Sequence, residues 1–142
     1  MIEKTLCGLA AVAILVTGAV HLELWLWHGY RGIPTVGTLF LLNAISAAVI
    51  AVGLLWRGGW LLELAGLGYA ATTLAAFFIS VYRGLFGFVD TIHGTPQAVA
   101  GIAEASAVVL LAAALVVPRL GAVMSRSAGS NQDRRPGAAP SP

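Results

Sequence analysis

Four ionisable side chains interrupt stretches otherwise fit only for lipid. His21 and Glu23 fall within GAVHLELWLWHGYRGIPT, Glu63 within WLLELAG and Glu104 within GIAEASA. Ionisable groups at membrane depth are costly and usually face a protein interior or a water-filled cavity. An imidazole and a carboxyl that meet there share a proton and satisfy each other's lone pairs. That chemistry suits a proton-linked transporter, a ligand site or a structural lock. Asn43, Tyr69, Thr72 and Thr73 are the neutral polar companions in the same runs.

Spacing sorts these groups by depth. His21 lies seven residues before His28, Glu104 seven after Gln97 and Asn43 eight after Thr35. At about 1.5 Å of rise per residue, all three lie roughly 10–12 Å below one membrane face. Thr73, ten residues before Arg83, is slightly deeper. His21, Asn43, Thr73 and Glu104 are therefore the candidate polar cluster, one residue from each helix. The first and last helices of a closed bundle are neighbours, so His21 and Glu104 are expected to meet directly. Glu23 is about 200° from His21 around the helix, and is expected to reach the interface or to pair with Arg31 or Arg83. Glu63, three residues past Trp60, is expected at the opposite interface near Arg57 in a structural role. Glu23, His28, Arg31, Arg83, Asp90 and His93 form a second set of candidates at the outer surface.

The elements that must hold these groups follow from hydropathy. The chain is 58% hydrophobic and 10% charged, against about 25% charged in soluble domains. So few charges cannot cover a water-soluble surface. A span needs about 20 apolar residues, and four segments qualify: about 6–27, 36–56, 60–82 and 98–117. The fold class is all-α, an antiparallel up-down-up-down bundle of four transmembrane helices over residues 1–120. The first segment exceeds the apolar length of a signal peptide and has no clean small-residue cleavage site, so it reads as an uncleaved span. Pro118 is expected to end the fourth helix. The Ser-, Gly- and Pro-rich residues 121–142 read as a disordered basic tail. In RGLFGFVDTIHGTPQ, glycines punctuate Phe86 and Phe88, which suits an interfacial or re-entrant segment.

Lys4, Arg57, Arg119, Arg126, Arg134 and Arg135 fall on one side of such a bundle, with Arg31 and Arg83 on the other. The positive-inside rule places both termini in the cytoplasm of a cell with a multi-pass plasma-membrane protein. Trp25, Trp27 and Tyr30 are expected to anchor the outer interface, and Trp56 and Trp60 the inner one. Small residues four apart, at Gly66/Ala70, Ala44/Ala48 and Ala103/Ala107, suit close helix packing.

Several chemistries find no support. No phosphate loop, nucleophile elbow, zinc-helix motif or dinucleotide fingerprint occurs, and nothing suggests nucleic acid. Cys7 is the single cysteine, so there is no internal disulfide and no CxxC metal or redox motif. No metal site or cofactor is expected. His28 and His93, with Glu23 and Asp90, lack regular ligand spacing, and His21 is the one deep histidine, where a two-histidine haem site needs two.

The first half, HLELWLWHGYRGIPTVGTLFLLN, and the second, GLFGF followed by Glu104, resemble small four-span integral membrane proteins of high-GC bacteria, a group without an assigned function. The resemblance covers the four spans and not the tail, and implies no chemistry. The DoxX-type proteins share the helix count, but their motif pattern is absent. Three functions remain in play. The first is a non-catalytic membrane protein, free-standing, homodimeric or an accessory subunit, with the bilayer as its main partner. The second is a proton-linked transporter or ligand-binding protein using His21 and Glu104. The third is a redox helper binding quinone or haem at the aromatic outer end.

Overall fold

The computed structural model describes residues 2–90 and 94–133, with side chains described through 121. Four helices follow one another: α1 (Ile2–Trp27), α2 (Val36–Trp56), α3 (Trp60–Arg83) and α4 (Thr95–Asp133). A short 3₁₀ turn, η1 (Tyr30–Gly32), sits between α1 and α2. All four are long and apolar enough to cross a membrane, which is the pattern of a multi-pass membrane protein. We call the end that carries η1 and the α3–α4 connection the upper end, and the end with the α2–α3 turn the lower end.

α1 packs extensively against α2 and α4, and α3 against α4, whereas α2 and α3 meet only sparsely. The packing is a ring with one loose seam. Below the middle, that ring is filled by small and branched residues: Ala10, Ala11 and Ile14 from α1, Ala47, Ala51 and Leu54 from α2, Ala70 from α3, and Ala107 and Leu111 from α4. Alanines let backbones approach closely, which supplies the dispersion contact that holds helices together in lipid. Gly18 marks the closest approach of α1 and α2, where an added Cβ would lie 2.5 Å from the Cβ of Ala47. Gly66, Ala70, Ala103 and Ala107 are buried, but Ala48 faces outward, so the Ala44/Ala48 spacing does not mark an interface.

At the lower end α2 and α3 are tied by a tight turn. The Arg57 and Gly58 amides both donate to the Gly53 carbonyl, at 3.0 and 3.1 Å. Gly58 takes the left-handed conformation (φ 58°) that closes a helix end. α4 does not end at Pro118; it runs on to Asp133. A proline forfeits one backbone bond to the preceding turn, and at that turn the Arg119 guanidinium donates to the Leu115 carbonyl at 3.1 Å. The tail expected over 121–142 is thus helical to Asp133, and residues 134–142 lie outside the described residues.

Trp27, Trp56 and Trp60 are exposed, as membrane-interface anchors must be. Tyr30, expected among them, is instead buried. Residues 85–88 form no re-entrant segment but a tight turn. Leu85 and Phe88 exchange backbone hydrogen bonds of 2.7 and 2.9 Å across Phe86 (φ 52°) and Gly87 (φ 79°). Both central residues have positive φ, as in a type I′ turn. Glycine adopts this freely at 87, while Phe86 does so at a steric cost.

Candidate functional site

The loose seam between α2 and α3 widens towards the upper end into a cavity of about 580 Å³. His21, Asn43, Thr73 and Glu104, one from each helix, all line it, as do Tyr69, Thr72 and Asp90. Helical spacing explains the convergence. Asn43 sits in the α2 row Leu39–Asn43–Ser46, and Thr73 in the α3 row Tyr69–Thr73–Phe77–Ser80. The deep side is closed by α1 and α4, so His21 and Glu104 are buried, at 9% and 1% exposure. The open side is edged by Leu39, Leu42 and Ser46 of α2 and Gly68 and Thr72 of α3, all exposed. The opening therefore faces sideways, towards the surroundings of the helices.

Within the cavity the neutral groups serve one another. Tyr69 donates its hydroxyl to Asn43 Oδ1 at 2.6 Å. Asn43 Nδ2 donates to Thr73 Oγ1 at 3.1 Å, and Thr73 Oγ1 donates to the Tyr69 carbonyl at 2.9 Å. This chain bridges the seam where apolar packing does not.

The two ionisable groups behave differently from the expectation of a direct pair. No hydrogen bond joins His21 to Glu104. His21 Nδ1 bonds the Thr17 carbonyl one turn back, at 2.9 Å, and its ring leans on Phe40 with centroids 4.7 Å apart. Since a carbonyl can only accept, Nδ1 carries the proton, and Nε2 of the neutral ring is an acceptor. Glu104 Oε2 is buried without a hydrogen-bond partner, and so is Ser80 Oγ, which also lines the cavity.

Sequence reasoning missed the upper rim. Tyr30 donates its hydroxyl to Asp90 Oδ1 at 3.0 Å and accepts from Gln97 Nε2 at 3.1 Å. Its ring contacts Phe40 at 4.7 Å and Phe88 at 5.3 Å. One tyrosine thus ties η1 to the α3–α4 connection and to the start of α4. Burial raises its hydroxyl pKa to about 12, despite the opposing bond from Gln97. A tyrosine beside a span reads as a lipid anchor, and only its tertiary partners distinguish this role.

The remaining candidates scatter. Glu23, His28, Arg31 and Arg83 are exposed, and Glu23 makes no ion pair with either arginine. Asp90 is half-buried on the cavity rim, not on the outer surface, and His93 lies outside the described residues. Among the described residues no group of three metal-ligating side chains forms. Glu63, expected near Arg57, is buried at 3% exposure. Its Oε1 accepts from Cys7 Sγ at 3.5 Å, because α3 turns this face towards the interior of the bundle.

Comparison with protein-family models, curated proteins and solved structures gives no match.

Proposed function

We propose that this chain is a non-catalytic integral membrane protein that binds a small amphipathic molecule in the cavity between α2 and α3. The observation that carries the reading is the buried Glu104 carboxyl, one oxygen unpartnered, facing the cavity that His21, Asn43 and Thr73 also line. Buried polar atoms almost always find partners, and a carboxyl is a poor choice for a mere helix tie when Asn43, Thr73 and Tyr69 already bridge the seam. Ligand pockets combine mostly apolar walls with a few converging polar groups, and this one does. Lys4, Arg57 and Arg119 at the lower end support a cytoplasmic placement of that end, with the cavity in the outer half of the plasma membrane.

The test is extraction. Protein purified in a mild maltoside detergent is treated with organic solvent, and the released small molecules are identified by mass spectrometry. Wild type is expected to retain an amphipathic molecule in near-stoichiometric amount, and Glu104→Gln and Gly68→Trp to lose it. If wild type retains nothing and Glu104→Gln and His21→Ala alter only the unfolding temperature, the polar layer is a lock and the ligand reading fails.

A further inference from the structure

The identity of the spare hydrogen-bonding groups narrows the ligand. The donors of the cavity are largely spent on internal bonds: the Tyr69 hydroxyl on Asn43, the Thr73 hydroxyl on a carbonyl, and the Tyr30 hydroxyl on Asp90. Of what is left over, the Ser80 hydroxyl can donate or accept, and two further groups accept. Glu104 Oε2 has no partner, and His21 Nε2 presents a lone pair in the neutral ring whose Nδ1–H donates to Thr17. A ligand that complements an ionised Glu104 and a neutral His21 donates to them.

Charge points the same way. Two carboxyl groups, Glu104 and Asp90, and one histidine line the cavity, with no lysine or arginine among the described lining residues. A buried carboxylate is tolerable only when paired with opposite charge, and none of the described lining residues brings a fixed positive charge. The rings of Phe40, Phe77 and Tyr69 also line the space, and aromatic faces attract cations. The lateral rim of Leu39, Leu42, Ser46, Gly68 and Thr72 gives access from the side on which lipid would lie.

We infer that the cavity takes a lipophilic organic cation, an amine or onium centre bearing aromatic or alkyl groups, which reaches Glu104 laterally through the α2–α3 seam. The cation seats beside the Glu104 carboxyl, its apolar arms fill the aromatic walls, and any N–H it carries is offered to His21. This inference deepens the function proposed above and rests on it.

The experiment uses the full chain in maltoside micelles and three probes of similar shape: tetraphenylphosphonium, its anionic counterpart tetraphenylborate, and neutral triphenylphosphine oxide. Binding is measured by equilibrium dialysis, with thermal unfolding followed in parallel. Tetraphenylphosphonium should bind wild type about tenfold or more tighter than either comparator, as expected for a charged contact out of water. Glu104→Gln should erase that preference and Glu104→Asp should keep most of it. Should Glu104→Gln fail to fold, the wild-type preference and Glu104→Asp still decide. Equal binding of the three probes, or a preference untouched by Glu104→Gln, overturns the cation while leaving the cavity as a ligand site. No binding of any probe, together with no co-extracted molecule, overturns both.

Discussion

In the lower half of the bundle Glu63 is buried against Cys7 and closed in by helix packing. In the upper half Glu104 is buried more deeply, yet one oxygen has no partner and the side chain borders a cavity. The difference comes from the residues around each carboxyl. Below, alanines at helical spacing draw the four backbones together, and the space beside Glu63 is only about 130 Å³. Above, the Tyr30 ring meets Phe40 and Phe88 at the rim, and α2 and α3 are tied by the Asn43–Thr73 bond instead of close packing. Small residues draw one half together, and sparse contact between α2 and α3 leaves the other open. The same carboxyl chemistry therefore becomes a helix contact in one place and a candidate receptor in the other.

Substitutions at glycines separate the halves most sharply. Gly18→Leu should destabilise by about 3 kcal/mol or more, because even one added carbon collides with Ala47. Chemical unfolding in detergent measures it, and a loss under about 1 kcal/mol would mean that α1 and α2 separate readily. Asn43→Ala comes next. It breaks the bridge across the seam and should cost about 0.6–1.7 kcal/mol, the range of measured polar contacts between membrane helices. A wider seam should also raise the cysteine reactivity of a probe residue at Ser46→Cys.

The third effect is confined to alkaline solution. The Tyr30 hydroxyl pKa is raised from 10.0 to about 12 in the fold, so folding favours the protonated phenol. That contribution is complete below pH 10 and is lost as pH rises towards about 12. The unfolding temperature of wild type should fall across this window, and that of Tyr30→Phe should fall less. The smallest effect is at Gly68, two residues from Gly66 but on the cavity side. A Cβ at Gly68 meets nothing within 4 Å, whereas one at Gly66 lies 3.0 Å from Leu111 and 3.4 Å from Ile14 and Ile50. Gly68→Ala should leave stability unchanged or raise it by up to about 1 kcal/mol, through the lost flexibility of the unfolded chain. A destabilisation equal to that of Gly66→Ala would show that the seam is as tightly packed as the core.

The helices were legible because lipid solvent imposes a length and a composition that few other structures satisfy. The polar layer was legible in depth, since helix rise converts residue count into height. Direction was harder to read. The proximity of Trp60 and Arg57 made Arg57 look like the neighbour of Glu63, but its partner Cys7 is 56 residues away, and only the rotation of α3 in the bundle joins them. His21 and Glu104 share a level, but whether they touch depends on where each side chain turns, and His21 turns to the Thr17 carbonyl. Tyr30 was hidden for the same reason: Asp90 and Gln97 are 60 and 67 residues distant.

α2 and α3 are bound at one end by the 57–59 turn and splay towards the other. α2 has 21 residues, so the arm is about 31 Å long and a tilt of about 5° carries its tip nearly 3 Å. The contact of Asn43 with Thr73 crosses between the arms well above that pivot, where leverage is large. Two hydrogen-bonding side chains thereby act as a tie-bar, setting how far a pair of rigid rods can part.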